Sequence, residues 1–178
     1  MAYKTKTRTE QILKILNILA WLAFTGFMIE AGSIVVSYIV SIINPMAAQK
    51  MYKALNLESL KQFSLMHYTI HVSFMVLLPL LKSLVWFMAI KAISKLNMKN
   101  PFKMEVALQL EAISYVLLGT WIIVMLNTAH TEWLIKNTGE KLVNGDSGEF
   151  IFAAGLVFII SQVFKRGVEI QRENELTV

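Results

Sequence analysis

The 178 residues contain no cysteine. That excludes disulfides, thiolate metal sites and thiol nucleophiles together. Charge is also scarce. Only 16% of residues are charged while 56% are apolar, and the mean hydropathy is +0.55. A soluble domain of this size has nowhere to bury so much apolar surface, so the composition points to an integral membrane protein. No glycine-rich phosphate loop, no HExxH and no paired catalytic carboxylates occur, and no nucleophile stands at a fixed spacing from a base. An enzyme is hard to build from this set, and neither catalytic residues nor a cofactor are expected. The net charge of +5 is explained by Lys and Arg gathered on one membrane face, so direct nucleic-acid contact is not expected. The N-terminal "MAYKTKTRTEQILKIL" places basic residues before an apolar run. That run continues past Ile29 without a small-residue cleavage site, which reads as an uncleaved first span.

Crossing about 30 Å of hydrocarbon takes roughly 20 apolar residues. Four segments qualify, at about 15–40, 66–90, 106–128 and 149–168, followed by a cytoplasmic tail at 169–178. The fold class is therefore all-α, an integral membrane four-helix bundle in one domain. The fourth apolar run, Phe150 to Phe164, covers only about 22 Å as a helix. It must recruit Val168 and Ile170 while Lys165 and Arg166 snorkel toward headgroups.

Orientation follows from basic residues per side. Lys4, Lys6, Arg8, Lys14, Lys91, Lys95, Lys99, Lys103, Lys165, Arg166 and Arg172 make eleven on one face. Lys50, Lys53, Lys61, Lys136 and Lys141 make five on the other. Both termini are expected in the cytoplasm, with the chain multi-pass. Helix punctuation agrees with these breaks. Asn100 as cap and Pro101 at the first helical position should start the third helix, and Asp146 with Glu149 forms a capping-box pattern before the fourth. "NPMAAQKMYKAL", from Asn44, suits a short interfacial helix.

Ionisable groups at membrane depth are costly and face protein or water, so they are the first candidates for function. Glu30, Lys82 and Glu111 are such residues. By residue count along their helices, Lys82 is expected to meet Glu111, and Glu30 to approach His67 or His71. His67 and His71, at i and i+4, share a helix face. With His130 they form a candidate metal site on the outer side, although no motif links the third histidine to the other two. The bland alternative is a set of interfacial histidines hydrogen-bonded to loops. Gly26 and Gly32 allow a close helix approach or a bend in the first span. Trp21, Trp86, Trp121 and Trp133 read as interface anchors or packing residues.

The tail "FKRGVEIQRENELTV" pairs Lys165 with Glu169 and Glu169 with Arg172 along one helical face. Either it forms a helix that leaves the membrane, or it is a solvated end that stops the fourth span. Together with "NPF" at Asn100, Pro101 and Phe102, it resembles the paired hallmarks of the DUF2975 family of small bacterial four-span membrane proteins, whose biochemistry is undefined. The resemblance spans the chain in length and helix order, and its specificity rests on these two motifs. It implies a small cytoplasmic helix-turn-helix regulator as partner, since family members are typically encoded beside one. On that implication Asn100, Pro101, Phe102, Arg166, Gly167, Glu169, Glu173 and Leu176 form the partner-binding set, with Gly167 as a helix break. The expected function is a non-enzymatic membrane sensor or anchor for that regulator. The competing readings are a small transporter or channel subunit working as a homo-oligomer through Glu30, Lys82 and Glu111, and a metal-dependent membrane enzyme at the histidines.

Overall fold

A computed structural model describes residues 8–44, 58–96, 102–139, 142 and 148–176. Five helices account for nearly all of them: α1 (Arg8–Ile43), α2 (Glu58–Phe63), α3 (Leu65–Lys95), α4 (Met104–Thr138) and α5 (Gly148–Leu176). Four of these, α1, α3, α4 and α5, are long and apolar enough to cross a membrane, and they make a multi-pass bundle. The short helix expected at "NPMAAQKMYKAL", past Asn44, and the cap at Asp146 lie outside the described residues.

Successive long helices run antiparallel and pack in chain order, α1 on α3, α3 on α4 and α4 on α5. Among the described residues α1 and α5 share no seam of that extent. Packing follows membrane rather than water logic. Small and hydroxylated residues fill the seams, among them Ala20, Ala31, Ser37, Ser83, Ala107, Ser114, Ala154 and Ser161. Large apolar side chains such as Leu22, Ile29, Phe152 and Ile159 point outward. With hydrocarbon outside, association depends on close backbone approach and van der Waals contact rather than on expelling water. Several hydroxyls at depth are satisfied by their own helix. Ser37 donates to the Ser33 carbonyl, Ser83 to Leu80, Ser114 to Glu111 and Thr120 to Val116, so these four hydroxyls carry no unmet donor within the bundle. Pro79 sits buried within α3 without ending it.

Gly26 and Gly32 do not carry the close approach expected of them, since a Cβ at either would meet nothing within 4 Å. Ala20, Ala31, Ser37 and Ser41, which are buried on α1, perform that role.

The vertical register of α5 explains its short apolar run. Phe150 and Ala154 pack with Val124, Leu117 and Ile113 of α4, whereas α4 continues outward to Thr138. Fourteen residues beyond Val124 amount to about 21 Å of helix. α5 is thus shifted toward the other end of the bundle, and its last turns project there as one continuous helix through Leu176. Gly167 lies inside that helix and is not a break, correcting the expectation from sequence.

Candidate functional site

Polar side chains gather at the two ends of the bundle. One end holds all three histidines; the other holds most of the lysines and the two sequence motifs.

At the histidine end, Tyr68 of α3 is buried, stacks on Tyr38 of α1 at 5.6 Å and hydrogen-bonds Ser41 at 2.6 Å. Lys61 of α2 donates to the Ser41 carbonyl at 2.6 Å, using one of the orphan acceptors that every helix C-terminus leaves. Behind this layer His67 Nδ1 lies 3.3 Å from His130 Nε2, within hydrogen-bond distance, with the tautomer deciding which ring donates. Trp133, 4.6 Å from His67, together with Phe63 and Phe74, encloses the pair in aromatic rings. His71 is buried one turn further along α3, with its Nδ1 lacking a partner among the described residues. Asn127 Oδ1 and the Thr128 and Thr131 hydroxyls are also buried without partners among the described residues.

The three histidines therefore occupy one region, but they do not form the three-ligand metal site that the i, i+4 spacing suggested. Among the described residues no three of His, Asp or Glu converge as ligands. The physical reason is that His67 turns to His130 and the indole of Trp133, while no hydrogen bond joins His71 to either histidine among the described residues. Glu30 does not join this group either. Phe24 packs on Phe87 and Ser83 donates to Met28, which sets Glu30 level with about residue 81 of α3. His71 is ten residues further out, about 15 Å.

The expected Lys82–Glu111 pair is also absent. Lys82 Nζ instead lies over the rings of Phe27, at 5.7 Å, and Phe150, at 5.4 Å, a cation–π arrangement that keeps the ammonium off lipid. Glu111 is bound from α5, with Lys165 Nζ at 2.7 Å and Gln162 Nε2 at 3.4 Å from Oε1. Register accounts for the difference. Lys95 pairs with Glu105 at 3.2 Å across the α3–α4 connection, so Glu111 stands opposite about residue 89. Lys82 is seven residues further along, about 10 Å away.

At this basic end the two motifs meet. Phe102 packs edge-on against Phe164 at 5.5 Å, and its ring covers Gly167 so closely that a Cβ there would approach Phe102 Cδ1 to 2.5 Å. Glycine is required here for space. The same contact explains why α4 starts later than the Asn100 and Pro101 punctuation suggested. Phe102 is drawn onto α5, Lys103 is extended as the N-cap, and the helix begins at Met104. Asn100 and Pro101 lie outside the described residues. Beyond the contact, Arg166 bonds Glu169 at 2.8 Å and lies 3.9 Å from Glu173. Leu176 ends α5, and its side chain lies outside the described set.

Residues 51–178 match the family model described as Protein of unknown function (DUF2975). The chain belongs to the DUF2975 family. No curated protein and no solved structure matches it. The match covers α2 to α5 and hence both motifs of this DUF2975 protein, along with all three histidines. Sequence reasoning located Phe102 and Gly167 but not their contact. The available signal was a glycine set between large residues, in "FKRGVE", at the depth of an aromatic on the neighbouring helix.

Proposed function

We propose that this DUF2975 protein is a non-enzymatic anchor or sensor of the bacterial inner membrane, with its basic end in the cytoplasm. Its partner there is a small helix-turn-helix regulator. The observation that carries the reading is the meeting of Phe102 with Phe164 and Gly167. It ties the α3–α4 connection to α5 at the point where α5 projects onward as a helix. The projection offers what a protein recognition element needs: the mixed charges of Arg166, Glu169, Arg172 and Glu173 for specificity, with exposed Ile170 as an apolar contact. The excess of Lys and Arg at this end supports its cytoplasmic placement. A stimulus would enter within the membrane or at the histidine end and reach the dock through α3 and α4.

Two experiments test this. Single cysteines replacing Ser94 and Asn137 report orientation, with Asn137 expected to react with an impermeant thiol reagent in intact cells and Ser94 to stay shielded. Truncation after Ile170 keeps the Phe102 contact and removes "QRENELTV". The truncated protein should accumulate normally in the membrane of its native host and lose a copurifying helix-turn-helix protein. Undiminished copurification, or ion flux through purified protein in liposomes with no regulator bound, would overturn the reading, and the second result would favour a transporter.

A further inference from the structure

A second feature of the basic end lies on the opposite side of α4's start from the Phe102 contact. A cleft of about 680 Å3 opens between the first turns of α1, the end of α3 and the beginning of α4. Lys14, Lys95 and Lys103 line it from those three elements in turn. Among the described residues Lys14 and Lys103 make no ion pair, whereas Lys95 holds Glu105. Glu10 and Glu105 also face the cleft, so the formal charge of its lining among the described residues is three positive less two negative, or +1.

Three further properties define what such a cleft can take. The first is depth. α3 has 31 residues, about 46 Å of helix, and so overshoots a 30 Å hydrocarbon core by about 8 Å at each end when centred. Lys95, its last residue, thus lies at the level of lipid headgroups, and Leu13, Ile93 and Leu96 in the walls are apolar neighbours for the acyl region. The second is the helix start. Lys103 caps α4 in extended conformation with no side-chain hydrogen bond, and its carbonyl takes the Val106 and Ala107 N–H groups, which leaves the Met104 and Glu105 amides and the positive end of the helix dipole at the cleft. The third is Asn17, also in the lining, whose Oδ1 is buried with no partner among the described residues.

We propose that this cleft binds the headgroup of one anionic phospholipid whose phosphodiester is esterified to a hydroxylated alcohol, the phosphatidylglycerol class. Lys14, Lys103 and the α4 N-terminus receive the phosphate, and Asn17 Oδ1 accepts from a headgroup hydroxyl. The net charge of +1 on the described lining matches a single phosphodiester anion, and the acids at positions 10 and 105 disfavour multiply charged headgroups. The inference needs only the membrane placement of the bundle, and it stands or falls independently of the regulator.

The test uses the full chain in a neutral detergent with phosphatidylglycerol or phosphatidylcholine of identical chains, with bound lipid read by native mass spectrometry. The wild type should retain phosphatidylglycerol about tenfold better, and the charge-keeping pair K14R/K103R should preserve that preference. The pair K14Q/K103Q should abolish it, on the scale expected for two cations near a membrane surface, while K136Q at the far end should leave it intact. Excess inorganic phosphate should not displace the lipid. Amine acylation of wild-type protein in nanodiscs provides a readout that needs no variant, with Lys14 and Lys103 modified several-fold more slowly in phosphatidylglycerol than in phosphatidylcholine. Equal retention of the two lipids, a preference that survives K14Q/K103Q, equal acylation rates, or displacement by inorganic phosphate, which would mark a free-anion site, would each overturn the proposal.

Discussion

At the histidine end His67 meets His130 within a ring of aromatic side chains, and Tyr68 is 1% exposed. At the basic end Lys95 and Glu105 pair with side chains 45% and 71% exposed. The first region joins polar groups through directional hydrogen bonds and stacked rings, which hold only when geometry is tightly kept, and it also buries polar atoms of His71, Asn127, Thr128 and Thr131 without partners among the described residues. The second uses charges, which tolerate loose geometry and are worth little individually when wet. The difference suits different neighbours. Directional bonds packed among aromatics suit the interior of a bundle, whereas half-exposed charges suit an end that meets lipid headgroups and water.

If that contrast holds, core truncation should be felt most at the histidine end. Leu134 is fully buried there beside Leu60 and Tyr68, and Leu134→Ala should destabilise the bundle by about 2 to 5 kcal/mol, measured by thermal or denaturant unfolding in detergent micelles. An effect below about 1 kcal/mol would mean that this end is not the rigid one.

Next in size is Gly167→Val, which pushes into the Phe102 ring. Overpacking of this kind costs about 1 to 3 kcal/mol, reduced here because Phe102 is partly exposed and can swing away. Adding Phe102→Ala should recover most of the loss, and strict additivity of the two changes would argue against the contact.

The Lys165–Glu111 pair sharpens the same comparison. Replacing Glu111 with Leu leaves a part-buried ammonium without its acceptor, so the single variant should unfold more readily than the double Glu111→Leu, Lys165→Leu. Equal behaviour of the two would show that the pair is merely superficial. The smallest effect belongs to the lipid-facing side. Ile29 is 73% exposed on α1, and Ile29→Ala should change stability by no more than about 0.5 kcal/mol; a large loss would reveal a protein surface packed on that face.

How much of this could be read from the sequence depends on what each feature obeys. The four spans were legible, because hydrocarbon thickness sets their length, and so was the contrast between a basic and a histidine-bearing end, because charges avoid the middle. The pairings were not. Which carboxylate meets which lysine depends on the vertical register of one helix against another, and a span that is apolar on all sides carries little pattern to fix it. The inward shift of α5 brings Lys165 to Glu111 and leaves Lys82 to the rings of Phe27 and Phe150. Gly167 was misjudged for a related reason. A glycine near a helix end commonly ends it, and only the approach of Phe102 reveals that it is there to leave space. The histidine spacing correctly put His67 and His71 on one helix, but side-chain direction is set by neighbours such as Trp133, which the i, i+4 rule does not include.

The central claim is that the end carrying Phe102 and the α5 projection is the working surface for a cytoplasmic regulator. It is tested most directly by placing a photocrosslinking residue at Arg172 or at Asn137 of the full chain in its native host, illuminating intact cells and identifying the products. The account predicts an adduct with one small helix-turn-helix protein from position 172, none from position 137, and loss of the adduct in Gly167→Val. No adduct at 172, or the same protein captured equally from both positions, would contradict it.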